Sequence, residues 1–226
     1  MTTKTQNNGN KNLLCDGMDN KKLEHTIKVN RAHIVTFSIP AVKTCPGADK
    51  CLKSGYCHAG NFNFKSVKNK FVQNLWASVQ SDFIDRINYE LNEIWTFSKY
   101  VRIHPVGDFY NLGYFKKWVQ IALDNPNITF YAYTKSVNMI KGYADKYGLP
   151  ENMVITYSFG GKYDDRIDKD KDKYALVISP NGPIPIGYVD GSEDDLVMCK
   201  GNDKIALRFH HTYVKWENSG FYDPNL

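Results

Sequence analysis

The sequence predicts an α/β protein: a parallel sheet of repeated βα units forming a partial or modified (β/α) barrel. Two patterns carry that prediction. Short β-branched and aromatic runs alternate with longer amphipathic stretches, as expected for strands joined by crossover helices. Each run also ends in a polar segment rich in Gly, Asp, Thr or Ser. A parallel sheet with right-handed crossovers would gather those segments on one rim.

The elements follow in order. Residues 1–27 are rich in Asn, Lys and Gly without periodicity and read as a flexible arm. A single α/β domain is expected over 28–226, less regular from about 163 onward. Its first strand is His33 to Ile39, stopped by Pro40. After a long connection, Phe71, Leu75, Val79, Phe83, Ile87 and Leu91 recur every four residues, widened by Val72, Trp76 and Ile84. That stripe predicts one long or broken helix over about 65–95. A strand over Tyr100 to His104, a helix through Phe115 and Trp118, and a strand over Ile128 to Tyr133 come next. A short helix opened by Thr134-Lys135-Ser136 leads through Gly148-Leu149-Pro150 to a strand over Met153 to Tyr157. Two further strands are expected, at Tyr174 to Ile178 and Lys204 to Phe209, after the charge-alternating loop Asp164 to Lys173.

Composition narrows the function classes. The chain of 226 residues, 42% apolar and 23% charged, can bury its own core without disulfides. Its net charge of +5 comes from Lys dispersed among Asp, so a dedicated polyanion-binding surface is not indicated. No run approaches the length of a membrane span, and MTTKTQNNGNKN lacks the apolar stretch of a secretory signal. A cytoplasmic protein without membrane contact is expected.

The strongest chemical signal is Cys45-Pro-Gly-Ala-Asp-Lys-Cys51-Leu-Lys-Ser-Gly-Tyr-Cys57-His58. In a reducing compartment, clustered thiols favour metal ligation over disulfides. Thiolates suit zinc or iron–sulfur clusters, and the two five-residue gaps do not match paired zinc knuckles. Cys45, Cys51 and Cys57 are therefore the candidate ligands, with Cys199 or His58 open as a fourth. Asp108, following Gly107 at a strand's end, could receive a cationic ligand or cap the next helix. Alternation puts Arg102 and His104 on one face of their strand, where a pocket would accommodate both. Lys135 could grip a phosphate or carboxylate, or lie on the surface. Ser158 heads the loop Ser158-Phe159-Gly160-Gly161, which lacks the glycine of a nucleophile elbow. No Gly-x4-Gly-Lys loop supports nucleotide hydrolysis.

The run Thr44-Cys45-Pro46-Gly47-Ala48, Cys51, Cys57, His58-Ala59 resembles the phage "gene product 88" family. So do Arg102 to Phe109, Phe130 to Ser136 and Ser158 to Gly161, in the same order. The resemblance covers about residues 30–162 and implies a host-cell cytoplasmic location. More distantly, a cysteine loop after the first strand, Gly-Asp after the second and Thr-Lys after the third looks like the radical S-adenosylmethionine enzymes. That likeness implies a [4Fe–4S] cluster on Cys45, Cys51 and Cys57, with S-adenosylmethionine near Gly107, Asp108, Tyr56 and Ser158. His104 and Lys135 would then be the catalytic candidates, acting with Arg102 on an unidentified substrate. This loop is longer in both gaps than the Cys-x3-Cys-x2-Cys of that superfamily. The competing reading is a zinc-stabilised nucleic-acid-binding or base-modifying protein, with nucleic acid or nucleotide as partner.

Overall fold

The computed structural model describes residues 12–55, 60–210 and 214–221. Its centre is one eight-stranded sheet: β1 (Cys15–Asp16), β2 (Ile34–Phe37), β3 (Tyr100–Ile103), β4 (Thr129–Thr134), β5 (Met153–Ser158), β6 (Tyr174–Ile178), β7 (Val189–Asp190) and β8 (Lys204–Arg208). The spatial order is β1-β2-β3-β4-β5-β6-β8-β7. Only β1 runs antiparallel, against β2; the other neighbours are parallel. The sheet is open, with β1 and β7 as its edges. Between β5 and β6 the register covers only Tyr157↔Tyr174 and Ser158↔Ala175, so the two strands overlap end to start.

Alternation along the strands sorts the core into two layers. Val35, Phe37, Val101, Ile103, Phe130, Ala132 and Ile155 meet the helices that connect successive strands. These are α3 (Lys65–Ser78), α4 (Phe83–Tyr89), α5 (Leu112–Asp124) and α6 (Val137–Tyr147), counted after α1 (Lys21–Asn30) and the short α2 (Lys50–Lys53). Parallel strands in sequential order with crossovers of one hand put their helices on the same side. On the opposite face Ile34, Tyr131, Ala175 and Ile205 pack on Leu23 of α1 and on Leu196, Val197 and Met198.

Helix α5 shows how local signals and burial agree. Asn111 caps it, its side-chain oxygen accepting the Tyr114 N–H at 2.8 Å. Phe115, Trp118, Val119 and Ala122 recur on its buried face. The helix stops before Asn125-Pro126, where proline disfavours helical backbone in the preceding residue. Trp118 is fully buried against Phe37, Phe83 and Phe130; burying such a side chain contributes about 3 kcal/mol.

Two expectations change. The arm expected over 1–27 is structured from residue 12: Leu13 and Leu14 are buried, Cys15–Asp16 pairs with β2, and α1 starts at the Asn20 cap. Weak periodicity concealed these residues, because backbone pairing and a buried carboxylate hold them; Glu90 accepts the N–H groups of Leu13 and Leu14. The stripe over 65–95 is the broken form of the expected helix, α3 and α4, but Val72, Trp76 and Val79 of that stripe are exposed rather than buried. The buried side of α3 is instead Asn74, Ala77 and Ser78, with Asn74 donating to the carbonyls of Leu13 and Ser38. Among the described residues no helix is long and apolar enough to cross a membrane.

Candidate functional site

The carboxyl ends of β2, β3, β4 and β5 open onto one cavity of about 670 Å³. Cys45 and Cys51 line it, together with His104, Gly107, Asp108, Thr134, Lys135 and Ser158. Residues more than a hundred positions apart thus converge as the parallel topology requires.

The cysteine loop is strapped across this mouth from β2 to the segment after β5. Lys50 N–H donates to the Gly160 carbonyl at 3.0 Å and Lys162 N–H to the Gly47 carbonyl at 2.8 Å, while Ala48 and Gly161 form an antiparallel bridge. Gly47 permits the approach: a Cβ there would lie 1.8 Å from the Lys135 carbonyl oxygen. Both thiols are half-buried and free. Burial, then the nearby Asp108 carboxylate, pushes Cys45 up to about 12; burial also raises Cys51, partly offset by Lys135. In the metal-free chain both are neutral thiols, and a bound cation would have to displace their protons. Cys57, Tyr56 and His58 lie outside the described residues. Among the described residues no group of three His, Cys, Asp or Glu is placed to hold a metal ion. Cys199, the other proposed fourth ligand, packs on the far face with Leu196 and Met198 and does not line the cavity.

Gly107 and Asp108 form the corner after β3. Gly107 has φ +90°, and a Cβ would fall 2.5 Å from Ile39 Cγ1, so only glycine fits. The buried Asp108 carboxylate accepts the Thr134 hydroxyl at 2.6 Å, the Phe109 N–H at 2.7 Å and the Lys135 N–H at 2.9 Å. Burial raises its pKa, and these hydrogen bonds pull the other way. Asp108 caps no helix; Asn111 does that.

Lys135 points along the mouth to β5. Its ammonium donates to the Ser158 carbonyl at 3.0 Å, the Ser158 hydroxyl at 2.9 Å and the Phe159 carbonyl at 2.6 Å. All three N–H groups of the lysine are therefore taken by protein acceptors.

His104 and Arg102 do not share a face. His104 has φ +59°, a left-handed conformation uncommon for a non-glycine residue. That twist turns its ring toward Phe37, Phe109 and Tyr114 on the helical side. Its Nε2 lies 2.8 Å from the Tyr114 hydroxyl, while Nδ1 has no partner among the described residues. Burial, then the Arg102 charge, drives its pKa well below the usual value, so the imidazole is neutral. Arg102 stays on the opposite face, its Nε donating to Asp195 at 2.8 Å. Asp195, Lys22, Tyr133 and Thr134 also line the cavity. Asp195 and Lys22 carried no local sequence signal, since they come from a 3-10 helix and an α-helix and lie 173 positions apart.

No curated protein and no solved structure matches the chain significantly. A family model described as gene product 88 matches residues 4–219. That span takes in the whole strapped cysteine loop and every strand that borders the cavity, so the chain belongs to the gene product 88 family.

Proposed function

We propose that the chain is an enzyme with a metal–thiolate centre at the mouth of the sheet, held by Cys45, Cys51 and Cys57. The centre is read as a [4Fe–4S] cluster serving S-adenosylmethionine. The observation that carries the reading is the presence of two loop thiols, Cys45 and Cys51, in the cavity that Gly107 and Asp108 also line. The donor chemistry fits: soft sulfur ligands on a loop pinned by backbone hydrogen bonds suit a cluster or zinc. If bound together, a reduced cluster and S-adenosylmethionine would supply one electron to the sulfonium and so break one of its C–S bonds, leaving a thioether and a carbon radical.

The chain's own residues hold and orient. Asp108 fixes the corner after β3 to the start of the loop after β4, so the backbone around Gly107 keeps its shape. Lys135 locks the ends of β4 and β5 together, and Ser158 is held by it. His104 is neutral and serves as a hydrogen-bonding group rather than as an acid near neutral pH.

Anaerobic reconstitution of the full chain with iron and sulfide tests this. A brown protein with about four irons per chain supports the cluster, and Cys45→Ala or Cys51→Ala should each abolish the colour. A colourless protein holding about one zinc would favour the zinc-stabilised alternative. Protein that retains neither metal overturns the centre.

A further inference from the structure

We propose that the cavity wall built by Arg102, Lys22 and Tyr133 binds an anionic group, a carboxylate or phosphate, carried by a small organic molecule that fills the cavity. The inference rests on the proposed function only in treating this cavity as the place where a substrate is held.

Arg102 is buried in mid-strand, with its guanidinium 4.8 Å from the Tyr133 ring centre and 5.5 Å from that of Tyr131. Aromatic faces on which a guanidinium stacks fix its plane. A guanidinium carries five N–H groups. Nε donates to Asp195 and Nη1 to the Ile103 carbonyl. Nη2 meets no acceptor among the described residues. It is also not among the polar atoms sealed away without a partner, so it opens onto the cavity that Arg102 lines. A planar donor held rigid, with unused N–H groups facing a cavity, matches the geometry of carboxylate or phosphate recognition.

Charge points the same way. Asp195 receives Lys22 on one oxygen at 2.7 Å and Arg102 on the other at 2.8 Å. One carboxylate therefore faces two cations, and the wall keeps a surplus positive charge in a partly dehydrated setting. An anion from outside would balance it and recover part of the desolvation cost. Asp19 and Asp108 also border the cavity, as do Lys21 and Lys135. Asp19 is exposed to water, Asp108 accepts the Thr134 hydroxyl and the Phe109 and Lys135 N–H groups, and neither pairs with Lys22 or Arg102.

The rest of the lining sets the ligand's body. Phe62, Val177, Leu207 and Phe221 contribute apolar surface, and about 670 Å³ is a usual size for a small-molecule pocket.

The test is calorimetric titration of the metal-free, full-length chain at low salt with inorganic phosphate and, separately, with malonate. Saturable binding of either supports the site, and the tighter of the two identifies its chemistry. Arg102→Lys keeps the charge but loses the planar fork, and should weaken binding about tenfold or more. Failure of both anions to bind, or an unchanged affinity in folded Arg102→Lys, overturns the proposal. Should that variant not fold, the wild-type chain decides: phosphate or malonate should slow phenylglyoxal modification of Arg102, read by peptide mass spectrometry. An unchanged modification rate counts against it. Because no metal enters these assays, their outcome is separate from that of iron reconstitution.

Discussion

The Asp108 carboxylate accepts the backbone N–H of Lys135 at 2.9 Å, across a gap of 27 residues. That bond ties the loop leaving β3 to the loop leaving β4. The Lys135 ammonium continues the link to Ser158 and Phe159 after β5. Three strand ends are thus held in register by one carboxylate and one lysine.

Replacing Asp108 with Asn should loosen this corner. An amide oxygen can still accept, but its NH2 group would face N–H donors where the second carboxylate oxygen now accepts. Leaving buried donors unsatisfied costs about 1–3 kcal/mol. Urea unfolding should show that loss, whereas Thr134→Ser, which keeps the hydroxyl that donates to Asp108 and accepts the Ser136 N–H, should cost less. Equal effects for the two variants would contradict the assignment.

Gly47→Ala tests how closely the cysteine loop must lie on β4. The added Cβ would meet the Lys135 carbonyl oxygen at 1.8 Å, and neither backbone can yield cheaply. Loop displacement with a loss of about 1–3 kcal/mol is expected. Faster limited proteolysis within the loop would reveal the displacement, with the helical circular dichroism preserved. Gly142→Ala, where a Cβ meets nothing within 4 Å, is the control and should be neutral or slightly stabilising.

Asp195 should give the protein an acid-sensitive limb. Burial alone would raise its pKa, but Lys22 and Arg102 outweigh that and hold it at about 2. The unfolded group titrates near 3.9, so the folded value is depressed. The associated stability is complete above about pH 4 and is lost as pH falls toward 2, amounting to about 2 kcal/mol. Lys22→Gln removes one of the two cations and should move the acid unfolding midpoint upward. A midpoint at the wild-type pH would show that the pair contributes nothing.

His104 predicts a second, milder pH dependence. Its folded pKa is far below the unfolded value of about 6.5. The unfolded chain therefore takes up a proton that the folded chain refuses, and stability falls as pH drops below about 6.5. The slope approaches about 1.4 kcal/mol per pH unit. His104→Asn, a residue that tolerates positive φ, should flatten the dependence between about pH 6.5 and 5. Chemical denaturation at several pH values measures it, and a slope that persists would assign the effect to another group.

Much of the site was readable in the strand ends. Cys45, Cys51, Gly107, Asp108, Lys135 and Ser158 were expected on one rim, and they line one cavity. The readable part rests on topology, since parallel strands deliver their following loops to the same side. What each side chain does there was less readable. Lys135 looked free to grip a ligand, yet its three donors all meet carbonyl or hydroxyl oxygens around Ser158. His104 was expected on the same face as Arg102, yet a single left-handed residue turned it to the other.

Periodicity in the chain was sufficient, by itself, to set the α/β class, the order of the central strands and the placement of the cysteine loop at their carboxyl ends. These properties depend on hydrophobic spacing and backbone stereochemistry, which are local. Only the tertiary structure decided that Cys15–Asp16 join the sheet, that Trp76 faces outward, and that Lys22 and Arg102 meet around the Asp195 carboxylate. Such partnerships depend on burial and on which distant groups satisfy each other's charge and hydrogen bonds, and no window along the chain encodes them.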